Sequence, residues 1–375
     1  MKIVHIIIGL NVGGAELMLK RLLQSQKAGG ITCHSVISLT NIGVIGEQLL
    51  ELGVDVKSLE MRGLLDVPKI LVKLIQSIKE AKPDVVQTWM YHADLLGGLS
   101  AKLAGNYKVV WGIRGTGIPQ KGLSSTKVII WACAILSKTI PSLIVCCAEA
   151  AKVAHEKMGY SSSKMRVINN GYDLSRFKRT PTMRNAIREE FDLTGSIVIG
   201  IVGRFDPLKD YHNFVLATSL VAERIAGVKF FLIGRDVDSN NELLLNWIEE
   251  GGWRDQYILA GERSDIPSCL AAMDLFCLSS MNEGFPNVVC EAMAMEVPCV
   301  VTRAGDAELI VSDTGGVVDT RDPIALADEL FNMVSLSKDE LVKKGRLARL
   351  RVEEKYSIEC ASKEFVDLYT QLAND

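Results

Sequence analysis

Two doubly wound α/β domains are what this sequence predicts, and three observations predict them. The chain has 375 residues, more than one hydrophobic core usually organises. Near-continuous apolar runs alternate with segments of helical period, the pattern of parallel strands buried on both faces and joined by crossover helices. The alternation breaks once, at a turn-rich and then basic stretch near the middle.

In order, the strand-like runs are Ile3 to Leu10, Val85 to Trp89, Val109 to Ile113 and Leu143 to Cys147. Helical period falls between them at Ala15 to Lys27, Pro68 to Lys82 and Asp94 to Ala104. A strand then ends in Val167-Ile-Asn-Asn-Gly-Tyr-Asp173, and the polar stretch Arg176 to Arg184, with Pro181, reads as a linker. The runs resume at Ile197 to Val202, Phe230 to Ile233, Leu275 to Leu278 and Cys299 to Thr302, with a helix over Asn213 to Arg224. The domains are therefore expected at 1–173 and 174–356, followed by a helical segment, Ser357 to Leu372.

The formal charge of −3 hides an asymmetry. Through Asp173 there are 20 Lys and Arg against 12 Asp and Glu, a balance of +8, which leaves −11 for the remainder. A basic first half suits an anionic partner. Within it, Val128-Ile-Ile-Trp-Ala-Cys-Ala-Ile-Leu136 is strongly apolar and flanked by Lys121, Lys127 and Lys138. That composition fits either a membrane interface or a buried helix feeding a buried strand. Pro141 interrupts it short of the ~20 residues a bilayer span requires. The apolar N-terminus runs into a glycine-containing loop and a helix, the plan of a strand-loop-helix unit rather than an export signal. Nine cysteines, without C-x-x-C or Cys/His clustering, fit reduced core residues of a cytoplasmic protein.

Chemistry concentrates in Glu283-Gly-Phe-Pro-Asn-Val-Val-Cys-Glu291, where two carboxylates flank a Gly/Pro turn that opens a helix. Pro286 suits a helix start and Asn287 a cap, so the amides of residues 287 to 289 are expected to face outward and attract phosphate. Glu291 is then placed for the hydroxyls of a ribose and Glu283 for those of a second sugar, with a diphosphate spanning the two. An acidic loop before an amphipathic helix explains the same spacing without a ligand. Upstream, Gly203-Arg-Phe-Asp-Pro-Leu-Lys-Asp210 follows the run that ends at Val202. There Arg204 and Lys209 read as an anion clamp, since Arg offers a fork and Lys a point charge. Gly9-Leu-Asn-Val-Gly-Gly-Ala-Glu16 lacks the G-x-G-x-x-G spacing of a dinucleotide site, which disfavours a nicotinamide-dependent dehydrogenase. Asp236-Val-Asp238 has the form of a metal-binding D-x-D, yet two cationic diphosphate ligands make a metal redundant, and none is expected. His92 and Arg114 follow strand ends, where open α/β sheets place ligands. A packing histidine and a structural ion pair are the other readings.

The stretch Glu283 to Ala294, continued by Val297-Pro-Cys-Val-Val-Thr302, together with Gly203 to Asp210, resembles the signature of the retaining glycosyltransferases of family 4, the group 1 glycosyl transferases. The likeness extends over essentially the whole chain. It implies the GT-B architecture: two Rossmann-like domains facing a central cleft, the first for the acceptor, the second for the donor, with a closing helix at about 357–375 returning to the first. It also implies transfer of a hexose or N-acetylhexosamine, with retention, from a nucleotide diphosphate sugar, UDP-sugars being favoured. The acceptor is expected to be a lipid-linked saccharide of surface polysaccharide or lipopolysaccharide assembly, reached from the cytoplasm in peripheral contact with anionic membrane. No cofactor beyond the co-substrate and no nucleic acid partner are implied. A nucleotide-sugar epimerase of the same fold and a non-catalytic nucleotide-sugar-binding protein are the alternatives.

On this resemblance Gly13 and Gly14 approach the donor phosphates, and Gly203, Arg204 and Lys209 grip the diphosphate. Arg263, in Gly261-Glu-Arg-Ser-Asp265, edges the nucleobase with its side chain or backbone. Glu283, Gly284, Phe285, Pro286, Asn287, Val288 and Glu291 complete the donor site. Catalysis falls to Glu283, Arg204, Lys209, His92 and Arg114. Three places depart from the family pattern: Arg114 where many members have His, Glu296 where Gly is common, and Ala304-Gly305-Asp306 where a Gly-Gly pair is usual. Glu296 reads as a surface helix residue, and Asp306 as a neighbour of the sugar or acceptor.

Overall fold

The computed structural model describes residues 1–29, 33–117 and 125–374. The chain divides into two compact units, Met1–Gly171 with Ile358–Asp375, and Tyr172–Ser357.

The first unit is built on a seven-stranded sheet: β1 (Lys2–Ile7), β2 (Cys33–Ser38), β3 (Asp55–Ser58), β4 (Val85–Trp89), β5 (Lys108–Ile113), β6 (Leu143–Cys146) and β7 (Met165–Val167), in the order β3-β2-β1-β4-β5-β6-β7. All neighbours are parallel; β1 pairs with β4 from Ile3 against Val85 to Ile7 against Trp89. These strands are apolar throughout because helices cover both faces, so alternation has no polar side to serve. The apolar run to Leu10 outlasts the strand: pairing stops at Ile7, and Leu10 turns back into the core.

Right-handed crossovers place the helices before and after the order reversal on opposite faces. Gly14–Gly29 packs beside Gly43–Glu51 and the C-terminal helix Ile358–Asn374. The last contributes Phe365, Leu368 and Tyr369 to the core around Trp89. On the other face Val67–Ala81, Tyr91–Gly105 and Ser125–Leu136 lie side by side. Val67–Ala81 buries Ile70, Leu74 and Ile78, one stripe of a 3.6-residue period, and ends where Lys82 turns left-handed at φ 47°.

The second unit repeats the plan with six parallel strands: β8 (Ile197–Val202), β9 (Val228–Ile233), β10 (Tyr257–Leu259), β11 (Leu275–Leu278), β12 (Cys299–Thr302) and β13 (Gly316–Val318), in the order β10-β9-β8-β11-β12-β13. Each sheet reverses direction beside its first strand, between β1 and β4 and between β8 and β11. There the connecting loops part at the carboxyl ends and leave a crevice.

Candidate active site

The loops that leave β8 and β11 border a pocket of about 500 Å³ at the reversal of the second sheet. From the β8 side come Gly203, Arg204, Asp206, Leu208 and Lys209; from the β11 side come Asn282, Glu283, Phe285, Asn287, Val288 and Glu291. The two loops are laced together. Met281 N donates to Leu208 O at 2.8 Å, and Ser279 Oγ to Lys209 O at 2.8 Å.

At the seam, Lys209 Nζ lies 2.6 Å from Glu283 Oε1, and Ser280 Oγ donates to the same oxygen at 2.7 Å. The pair is mostly withdrawn from water, its side chains 24% and 14% exposed, so screening is weak and the charges hold one another firmly. Arg204 is more open. Its guanidinium forks onto Asp206 at 3.1 Å, and Asp206 also accepts from Leu208 N at 2.9 Å, capping the turn Pro207–Lys209. The clamp residues thus hold to partners that a phosphate can compete with.

The β11 loop is shaped by Gly305, at φ +58°. A Cβ there would come within 2.4 Å of Glu283 O and 2.5 Å of Gly284 O, so a side chain would displace the loop. Gly284 faces this way, its carbonyl accepting from Asp306 N at 3.1 Å, rather than lining the pocket. Asp306 is buried beneath the loop and does not line the pocket.

The helix Asn287–Ala294 corrects one expectation. Pro286 occupies the cap position, and Asn287 is the first helical residue, its Oδ1 accepting from Tyr172 Oη at 2.5 Å. Tyr172 stacks on Phe285, whose edge meets Tyr356, and this aromatic row fixes the helix entry. Val289 N donates to Pro286 O at 3.1 Å, which removes it from the outward-facing amides.

Arg263 stands elsewhere. Its guanidinium is bound by Glu190 at 2.5 Å and Asp265 at 2.8 Å, lies over the Phe191 ring, and does not line the pocket. Those carboxylates raise its already high pKa. Ile266, three residues on, does line the pocket. Glu296, expected on a helix surface, follows the helix end at φ 57°, the left-handed conformation that explains why glycine suits the position.

In the first unit, the remaining candidates sit at the carboxyl ends of β1, β4 and β5. Gly14 opens the helix Gly14–Gly29, and Gly13 O accepts from Leu17 N at 2.9 Å. His92 lies in the first turn of Tyr91–Gly105, after Met90 at φ 71°, and burial lowers its imidazole pKa. Arg114 donates to Asn170 Oδ1 and lies 5.2 Å over the Trp89 ring. Asp94, not selected from the sequence, is fully buried in the same helix as His92. It accepts from Thr88 Oγ1 at 2.5 Å and Gly112 N at 3.3 Å, tying β4 to β5, and burial pushes its carboxyl up to about 8. A lone Asp in an apolar helix was the available signal. Lys121, one of the lysines flanking the apolar segment, lies outside the described residues.

Two parallel sheets of this order, each in its own unit, define the GT-B fold class. A structure of Anabaena Alr3699/HepE in complex with UDP has the same fold, with a TM-score of 0.85 at 21% identity over 99% of this chain and 100% of that one. Residues 12–176 match the sequence model described as Glycosyltransferase Family 4, and residues 196–335 the one described as Glycosyl transferases group 1. Among curated relatives, the UDP-Gal:alpha-D-GlcNAc-diphosphoundecaprenol alpha-1,3-galactosyltransferase of Escherichia coli is 29% identical over 65% of this chain and 64% of that enzyme. The capsular polysaccharide biosynthesis glycosyltransferase CapM of Staphylococcus aureus is 26% identical over 80% of each chain. This chain belongs to the family 4, group 1 glycosyltransferases.

Proposed function

We propose that the enzyme moves a hexose or N-acetylhexosamine from a UDP-sugar, with retention, onto a lipid-linked saccharide in surface polysaccharide or lipopolysaccharide assembly. The second unit takes the donor and the first the acceptor, in peripheral contact with the membrane. The observation that carries the reading is the Lys209–Glu283 pair on the switch-point pocket, beside the forked Arg204 and the start of Asn287–Ala294. It supports the reading because cations there would meet the negative charge that a departing diphosphate loads, and the carboxylate would accept from sugar hydroxyls. The uridine donor and undecaprenol-linked acceptor named for the Escherichia coli relative support the substrate classes.

In this reading the diphosphate draws Lys209 and Arg204 from their carboxylates, which frees Glu283 to hold the sugar, while Glu291 holds the ribose. The acceptor oxygen attacks the anomeric carbon on the face the diphosphate leaves. The bond to the phosphate oxygen breaks, the glycosidic bond forms, and the hydroxyl proton passes to the departing phosphate. The cations Arg204 and Lys209 serve where other glycosyltransferases employ a metal, so chelator treatment is expected to leave turnover unchanged.

A thermal-shift panel of UDP, GDP, ADP, NAD and their sugar conjugates tests the donor. Ligand at 100 times its Kd stabilises by ~2.7 kcal/mol. UDP and its sugar conjugates, and none of the other nucleotides, are expected to act on wild type and to fail on Lys209→Ala; stabilisation by NAD alone, or by nothing, overturns the reading. Product analysis then separates transfer from its rivals. Isomerised donor sugar without acceptor would make the chain an epimerase, and donor binding without turnover a binding protein.

A further inference from the structure

Val67–Ala81, Tyr91–Gly105 and Ser125–Leu136 form one helical layer over the first sheet, so what they leave exposed faces outward together. On that layer Ser125–Leu136 buries Ile130, Cys133 and Ala134 and exposes Val128, Trp131 and Ile135, a single stripe at helical spacing. Trp131 is 66% exposed. The adjoining helix Tyr91–Gly105 adds exposed Leu103, the helix beyond it adds Val72, and the turn before Val67 adds Leu64 and Leu65, the latter 98% exposed. A surface with a bare indole among this many aliphatic side chains marks a contact site.

The charges around it select the partner. Arg62, Lys69, Lys79 and Lys138 are exposed on these helices and their flanking turns; of the acids there, Glu80 is exposed, Asp66 half-buried and Asp94 buried. A second copy of the same face would set lysine against lysine. No helix among the described residues is long and apolar enough to cross a membrane, so lipid contact through this layer lies along the bilayer surface. Tryptophan and lysine together suit the headgroup region, the ring in the acyl boundary and the ammonium at anionic lipid.

We propose that this layer, centred on Val128, Trp131 and Ile135, is the surface by which the first unit docks on an anionic bilayer. The inference deepens the reading of a membrane-sited enzyme given above, and its test reads a different unit from the donor test. The full chain is pelleted with phosphatidylcholine vesicles with and without phosphatidylglycerol. Binding is expected to the anionic vesicles, with a blue shift of tryptophan emission, and to fall with added salt. The combined variant Val128→Ser, Trp131→Ser, Ile135→Ser is expected to partition about tenfold to hundredfold more weakly. Its melting profile and its stabilisation by UDP should be those of wild type. Leu64→Ser with Leu65→Ser, far along the chain, should weaken binding in the same direction. Failure of wild type to bind anionic vesicles, or equal binding by the combined variant, overturns the proposal. So does a dimer in sedimentation that this variant dissolves, which would give the face to a second copy. Vesicle binding without a UDP response would sink the donor reading and leave the surface standing; the reverse result would do the opposite.

Discussion

Lys209 and Glu283, 2.6 Å apart, neutralise one another until something competes for the ammonium. Glu283→Gln keeps the shape but loses the charge, so we expect transfer to fall about 10²–10³-fold while UDP still stabilises the protein. Wild-type turnover in that variant would remove Glu283 from the site. Glu296 offers a contrasting test, because its left-handed φ of 57° costs a side chain what glycine avoids. Glu296→Gly is expected to raise unfolding stability by about 1 kcal/mol in a denaturant titration, with activity unchanged. A third residue-scale effect depends on pH. His5 is fully buried, and its Nε2 meets His34 Nδ1 at 2.9 Å. Burial lowers both imidazoles, His34 from 6.5 to about 4. The unfolded chain then binds protons the folded one refuses, so this contribution is whole above pH 6.5 and is lost as pH falls toward 4. Compared with wild type, His34→Gln should lose about 2 kcal/mol less between those pH values.

At the scale of elements, the β11 loop depends on one glycine. Gly305→Ala would force a Cβ to within 2.4 Å of Glu283 O, and we expect a loss of about 1–3 kcal/mol with weaker UDP binding by calorimetry. Unchanged UDP affinity would mean the loop's position does not matter to the donor. Element recognition from sequence follows a physical divide. Every apolar run read as a strand coincides with a strand of a sheet interior, while the run Val128 to Leu136 is a helix; β3, β7, β10 and β13 are the sheet edges and span only three or four residues each. An edge strand pairs on one side and meets water on the other, so nothing compels it to be apolar. β2 escaped for a related reason: His34 and Ser35 interrupt its apolar residues. In the pocket, the motif residues were legible because glycine, proline and paired charges mark a built turn. Ile266 was not, since it opens a separate helix, Ile266–Ala272, and its side chain has no chemistry of its own. Asn287 was misread as a cap because Tyr172, distant in sequence, claims its side chain.

For the whole molecule, the final helix belongs with the first unit although the second precedes it in the chain. Phe365, Leu368 and Tyr369 are buried against that unit's core, and Tyr369 Oη donates to Gln87 Oε1 at 3.2 Å. Deleting 358–375 should therefore leave UDP binding to Tyr172–Ser357 in place while the first unit melts at lower temperature. Loss of both together would show that the units do not stand separately. The same connectivity governs birth on the ribosome. A nascent first unit waits, its apolar flank uncovered, through the synthesis of the entire insert, roughly 10–40 s at ordinary elongation rates. The second unit can finish folding during that wait, so chaperone demand falls on the first unit, and the emergence of the helix Ile358–Asn374 is what ends it.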